Sequence, residues 1–208
     1  MGMRQEILIA TRNPGKIKEF QAFFAEWGWQ VKGLDQFPDL PEIIEDGLTF
    51  EDNARKKAES LFRWTGMPAL ADDSGLEVDA LGGRPGVYSA RFAGEHASDA
   101  ENNLKLLHAL DGVPLERRTA RFRCVLFLMF SEERTMTAEG ICEGVILTAP
   151  RGNGGFGYDP LFYLPAYGKT MAELDPNEKN QVSHRGQALR QLAARLAEEI
   201  RNRNKPVP

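Results

Sequence analysis

Four segments of the chain bring charged, hydroxyl-bearing and glycine residues together at spacings that chemistry can use. The first is Thr11-Arg12-Asn13-Pro14-Gly15-Lys16. It lies between an apolar run, Ile7-Leu8-Ile9-Ala10, and a stretch where Ile17, Phe20, Phe23, Phe24 and Trp27 recur at helical spacing. A loop that opens a helix offers free N–H groups and the positive end of the helix dipole to an anion, and Lys16 adds a full charge. The same residues also make an ordinary strand-to-helix turn. The P-loop pattern is absent, because no glycine stands five residues before Gly15 and no Ser or Thr follows Lys16.

The second segment is Asp72-Asp73-Ser74-Gly75. Adjacent carboxylates repel unless a proton or cation lies near them, and a carboxylate there can hold magnesium or take a proton from water. The plain alternative is a turn, since Asp, Ser and Gly favour turns. The third, Gly152 to Pro160, contains a formal G-x-G-x-x-G. A dinucleotide site needs a helix next, whereas Pro160 and a strand-like Leu161 to Leu164 follow, so that reading is rejected. Phe156 and Tyr158 in this glycine loop suit stacking on a planar base, or a return to the core. The fourth is Lys179, His184 and Arg185. With Ser183 capping the last helix, His184 and Arg185 fall in its first turn, where cations oppose the dipole and suit an anion site. A solvated surface cluster is the alternative.

The elements that must position these residues read as mixed α/β. Val31 to Leu34 reads as a second strand. Thr49-Phe50-Glu51-Asp52 opens a helix with Phe50, Ala54, Ala58, Leu61 and Phe62 on one face, and Ser98 to Glu101 is a capping box for another. Ala69 to Ala71 reads as a strand running into the acidic turn, with a second strand at Leu76 to Ala80. Arg121 to Phe130 reads as a long strand, with Thr135 to Glu139 and Glu143 to Leu147 as its antiparallel neighbours. The C-terminal helix carries Leu189, Leu192, Ala193, Leu196 and Ile200 on one stripe, and Asn202 to Pro208 reads as a polar tail.

Composition removes several classes of function. The chain has 208 residues, 42% of them hydrophobic, which is enough for a packed interior. Twenty-six Lys and Arg against 30 Asp and Glu give a net charge of −4, which argues against nucleic acid as a partner. The local basic cluster Arg117, Arg118, Arg121 and Arg123 reads as the solvent face of a strand. The longest apolar run, Cys124 to Phe130, falls far short of the ~20 residues of a membrane span, and the N-terminus lacks an apolar signal core. Two cysteines and three scattered histidines disfavour a zinc site and fit a reduced, cytoplasmic protein.

Taken in order, Ala10 to Lys16, Thr49 to Ala54, Ala71 to Leu76, Gly86 to Arg91, Phe156 to Pro160 and Ser183 to Arg185 closely resemble the ITPase-like pyrophosphatases of deaminated purine nucleotides, the dITP/XTP pyrophosphatases of bacteria. The resemblance runs from about Ile7 to about Ile200. It implies a single ITPase-like domain over residues 1–208, with a long central mixed β-sheet flanked by helices and an active-site cleft between two lobes. It further implies a homodimer and magnesium-dependent hydrolysis of XTP, ITP and dITP to monophosphate and pyrophosphate.

The resemblance also carries roles. Thr11, Arg12, Asn13, Pro14, Gly15 and Lys16 match the triphosphate-holding segment, and Lys57 resembles a phosphate-reaching lysine. Asp73 matches the general base and magnesium ligand, with Ser74 beside it at the substrate. Phe156, Gly157, Tyr158 and Asp159 match the base-binding segment, and Lys179, His184 and Arg185 the set that closes on base and phosphates. Many members carry a further metal-binding Glu three residues before the glycine matching Gly47. Here that position is Ile44, and Glu45 is taken as its substitute rather than Glu42. A pyrophosphatase of other triphosphates and a nucleotide-sensing module without turnover are the competing readings.

Overall fold

The computed structural model describes residues 5–203. The chain readings that reach beyond these, at the N-terminus and over 204–208, lie outside the described residues, as do the side chains of Pro14 and Gly15. Seven strands form one sheet in the order β2-β1-β3-β4-β5-β6-β7. They are β1 (Glu6–Ile9), β2 (Gln30–Gly33), β3 (Ala69–Val78), β4 (Thr119–Ser131), β5 (Arg134–Ile146), β6 (Phe162–Leu164) and β7 (Lys169–Thr170). The helices are α1 (Pro14–Ala25), α2 (Phe50–Thr65), α3 (Asp99–Ala109), α4 (Pro176–Val182) and α5 (His184–Arg203). The expected mixed α/β sheet is therefore present. Among the described residues no helix is long and apolar enough to cross a membrane.

The chain divides into two compact units. The first holds the segment ending at Asp73, Val125–Ala138 and the segment from Leu189; the second holds Ser74–Cys124 and Glu139–Ala188. In the first unit β1 is central and parallel to both β2 and β3, with Leu8 opposite Ala69 and Ile9 opposite Leu70. The two crossovers step in opposite directions from strand to strand. Right-handed connections then place α1 and α2 on opposite faces of the sheet. Leu8, Leu61 and Ala69 are buried here, with Leu34, Phe37, Leu40 and Ile43 packed against them.

In the second unit β5, β6 and β7 are antiparallel, with Ile146 opposite Phe162 and Tyr163 opposite Thr170. Its core gathers Leu76, Val78, Leu106, Leu110, Phe122, Ile146 and Phe162. Of the basic cluster only Arg121 and Arg123 lie on β4, where their charges are neutralised; Arg117 lies in a short 3₁₀ turn and Arg118 follows it, so neither is on the expected strand face. Arg121 lies 2.9 Å from Asp79 and 3.2 Å from Glu143, and Arg123 pairs with Glu139 and Glu77. Arg118 is buried and donates to the carbonyls of Leu110 and Val113.

Four other sequence expectations need correction. Asp72-Asp73-Ser74-Gly75 is not a turn; all four residues lie inside the single ten-residue strand β3. The turn propensity of these residues is outweighed because buried partners satisfy both carboxylates, as described below. The two neighbours expected beside β4 are one strand, β5, running through Gly140. Gly140 leaves room that a side chain would take, since a Cβ there would stand 2.0 Å from the His184 carbonyl oxygen. Ala188, Leu192 and Leu196 form the buried stripe of α5, while Ile200 is exposed, one turn beyond the core. Asn202 and Arg203 belong to α5 rather than to a tail.

Candidate active site

In the first unit, the segment after β1 turns back on itself before α1 begins. Thr11 is buried, and its Oγ1 accepts from the Asn13 N–H at 3.1 Å. Asn13 Oδ1 accepts from the Lys16 N–H at 3.2 Å, a cap on the helix that Pro14 and Gly15 open. The Lys16 ammonium is not free in solvent. Its Nζ lies 2.7 Å from Asp72 Oδ2, on β3.

Because β3 is a strand, Asp72 and Asp73 point to opposite faces of the sheet. Asp72 meets Lys16 of α1 on one face. Asp73 meets α2 on the other, where Lys57 Nζ is 3.5 Å from its Oδ1 and Asn53 Nδ2 donates to its Oδ2 at 3.0 Å. Lys57 also lies 3.1 Å from Glu45 Oε2. One buried ammonium is thus shared by two carboxylates. Burial alone would lower the Lys57 pKa, but Asp73, Glu45 and Asp72 together hold it above the ordinary lysine value. Burial pushes the Asp73 carboxyl above the usual carboxylate range, with Glu45 and Asp72 in the same direction and Lys57 and Asn53 opposing. An aspartate held in this way is a better proton acceptor than one in water.

Ile44 is 74% exposed, whereas Glu45 reaches Lys57, so the neighbour and not Ile44 joins the acidic group. Arg12, Glu42, Glu45 and Lys57 line a cavity of about 540 Å³ floored by Leu34, Phe37 and Leu61. Among the described residues, no three His, Cys, Asp or Glu side chains form a ready metal cage. Asp73 and Glu45 nonetheless converge on one positive charge with hard oxygen donors. That donor chemistry fits magnesium, which takes one or two carboxylates and keeps waters or phosphate oxygens for the rest of its shell.

The second unit carries the remaining candidates. Ser74 is half-buried in β3, next to Asp73 in sequence. Phe156 is 45% exposed, with Lys179 Nζ 4.8 Å and the Arg185 guanidinium 5.9 Å from its ring centre. Asp159 is buried and accepts from both the Phe156 N–H at 2.9 Å and Lys179 Nζ at 2.5 Å. The chain passes so close to this carboxylate that a Cβ at Gly155, where φ is +74°, would stand 2.0 Å from its Oδ2. The Gly157 N–H donates to Asp99 Oδ2 at 2.6 Å, and the Gly157 carbonyl accepts from Asn103 Nδ2 at 2.8 Å. His184 is buried with its ring stacked on Phe122 at 4.9 Å, and Arg185 is buried beside it. The fourth motif is therefore not a solvated cluster. Ser183 Oγ accepts from the Gly186 N–H at 3.1 Å, as its capping position predicts. Tyr158 differs from its neighbours, because its ring belongs to the core and its hydroxyl donates to the Ser89 carbonyl at 2.8 Å.

Sequence reasoning passed over Asn53, Asp99 and Asn103 as site components, and it passed over α4, which carries Lys179. The signal for α4 is present: Asp175 caps it, Pro176 opens it and Glu178 completes a capping box. Asp99 and Asn103 follow a visible helix start at Ser98. Their partner Gly157 is 58 and 54 residues away, and no local pattern encodes that pairing.

Comparison with known proteins shows the family and the fold. The model of the Ham1 family matches residues 7–195. The chain is 59% identical to a dITP/XTP pyrophosphatase of Geobacillus kaustophilus over 188 residues, 90% of this chain and 92% of the relative. It is 56% identical to a dITP/XTP pyrophosphatase of Desulforamulus reducens over 95% of this chain and 96% of that one. Among solved structures, a HAM1 protein from Coxiella burnetii superposes with a TM-score of 0.87 at 46% identity, covering 93% of this chain and 99% of its own. The Ham1 protein of Staphylococcus aureus gives 0.86 at 42% identity, covering 94% and 100%.

Proposed function

The chain belongs to the Ham1 family, and from that membership we propose that it is a pyrophosphohydrolase of deaminated purine nucleoside triphosphates. It cleaves XTP, ITP and dITP to the monophosphate and pyrophosphate, which keeps deaminated purines out of the nucleotide pool. The observation that carries this reading is the buried Asp73, held among Asn53, Lys57 and Glu45. That is an acid–base centre surrounded by charge, as phosphoryl chemistry needs.

In this reading the Thr11 to Lys16 segment, with Lys57, holds the triphosphate. Asp73 accepts the proton of the water that attacks the α-phosphorus in line, and pyrophosphate leaves. Asp73 and Glu45 would hold magnesium, which when bound supplies charge neutralisation at the phosphates. Lys16 pairs with Asp72, and Lys57 with Glu45 and Asp73; on substrate binding both ammonium groups turn to phosphate oxygens.

Base selection belongs to the second unit. Hypoxanthine and xanthine present a 6-keto acceptor where adenine presents an amino donor. A buried donor left unpaired by adenine discriminates by as much as roughly 10⁴. The buried His184 and Arg185, with backbone N–H groups around Phe156, are the candidate donors to the 6-keto oxygen. Phe156 stacks on the base, Lys179 and Asp159 set that ring, Tyr158 anchors the loop from the core, and Ser74 meets the substrate. The enzyme works as a homodimer in the cytoplasm.

The test is the initial rate of pyrophosphate and orthophosphate release from XTP, ITP, dITP, GTP and ATP, with magnesium and with chelator. Magnesium-dependent pyrophosphate release, at least roughly a hundredfold faster for XTP and ITP than for ATP, supports the reading, while any rejection of GTP must come from its 2-amino group because guanine shares the 6-keto oxygen. Orthophosphate release or equal rates across bases would move the protein to another nucleotide hydrolase. Absence of turnover would favour a nucleotide sensor.

A further inference from the structure

Asn53 is fully buried on α2, and its amide oxygen and nitrogen meet different partners. Its Oδ1 accepts from the Gly47 N–H at 2.7 Å, and its Nδ2 donates to Asp73 Oδ2 at 3.0 Å. The orientation of this amide is fixed by chemistry. A backbone N–H can only donate, so the oxygen faces Gly47 and the NH₂ faces Asp73. Gly47 is held so close that a Cβ there would stand 2.5 Å from Asn53 Oδ1 and 2.9 Å from Asp52 Cβ. Gly47 lies two residues after Glu45. The amide therefore joins the loop that carries Glu45 to the strand that carries Asp73.

We propose that Asn53 is a positioning residue that fixes which oxygen of Asp73 receives the proton, and that it holds this oxygen in register with the Glu45 loop. The proposal rests on Asp73 being the base. A donor at Oδ2 takes one of that oxygen's two lone pairs and orients the carboxylate. Oδ1 is left as the reactive oxygen, with Lys57 at 3.5 Å, a contact too long to hold it as firmly. The interaction needs an amide, because Asp at this place would keep the bond to Gly47 and lose the donor to Asp73.

The experiment is a double-mutant cycle on ITP hydrolysis, with N53D, D73N and N53D/D73N, together with calorimetric binding of IMP to each. The expected result for N53D is a fall in kcat of roughly 10- to 100-fold, the effect of a misplaced reacting group, with KM and IMP affinity within about threefold of the parent. The double mutant is then no slower than D73N alone, because Asn53 acts only through Asp73. A kcat for N53D within about twofold of the parent overturns the proposal, as does a double mutant that loses the full product of the two single effects. If D73N keeps near-normal turnover, the base assignment fails and takes this inference with it. If D73N is inactive while N53D is normal, only this inference fails. Should N53D not fold, G47A displaces the same amide and is judged in the same cycle.

Discussion

Lys16 Nζ lies 2.7 Å from Asp72 Oδ2, a contact between residues 56 positions apart in the chain. Asp72 is almost wholly buried, so the pair is costly to break from one side only. K16M should lower stability, by less than the ~3–5 kcal/mol of a wholly buried pair because the Lys16 side chain is 20% exposed. K16M/D72N should recover most of that loss while KM for the triphosphate stays raised. Chemical denaturation of the three variants beside steady-state kinetics separates the structural share of Lys16 from its share in substrate binding. Equal destabilisation in single and double mutants would exclude the pairing as the cause.

Asp73→Asn should reduce turnover of ITP by at least roughly a hundredfold, the usual scale of a lost general base. It should leave nucleotide binding in place, because the cations that hold phosphate remain. Rapid-quench measurement of pyrophosphate release, paired with calorimetry of ITP binding, checks both halves. Near-normal turnover would remove Asp73 from the chemistry.

Asp99 and Asn103 grip the N–H and the carbonyl of one residue, Gly157, from a single helix. Asn103→Ala releases the carbonyl and loosens the segment that presents Phe156. The expected outcome is about a tenfold loss in kcat/KM for ITP and a smaller loss for ATP, so that selectivity narrows. A parallel decline for both substrates would mean that the clamp serves stability alone.

Burial pushes the Cys142 thiol from its ordinary value of 9.0 up to about 11, with Glu143 and Asp159 adding to the effect. The unfolded chain therefore loses this proton first as pH rises. The stabilising contribution is complete below about pH 9 and disappears as pH climbs through about 11, on the order of 2 kcal/mol in all. Denaturation midpoints measured from pH 8 to 11 should fall more steeply for the parent than for C142A. Parallel curves would show that other groups set the alkaline limit.

The order of motifs made the family and the class of chemistry legible from residues alone. Thr49, Ser98 and Ser183 cap helices where their spacing says they should. The acidic segment was harder, since Asp72-Asp73-Ser74-Gly75 has the local preferences of a turn. Its strand conformation depends on Lys16, Asn53 and Lys57, each at least 16 residues away. Asn53 was illegible for the same reason: its value lies in the two groups it touches and not in its place on a helix. Glu45 is preferred to Glu42 from the sequence alone, but its 3.1 Å contact with Lys57 is visible only in the fold. Sequence patterns report which face of an element is apolar, whereas ion pairs between distant segments need the fold itself.

The division of the chain has a consequence for its synthesis. The first unit is assembled from a segment ending at Asp73, from Val125–Ala138 and from the segment after Leu189, with the second unit's residues threaded between them. A ribosome thus delivers Lys16, Asp72 and Asp73 early but withholds most of α5, with Leu192 and Leu196, until nearly everything else has emerged. The second unit's last residue, Ala188, precedes the segment that completes the first unit, and no single cut yields both intact. The first unit therefore commits to its native state late, with long-range contacts setting the pace.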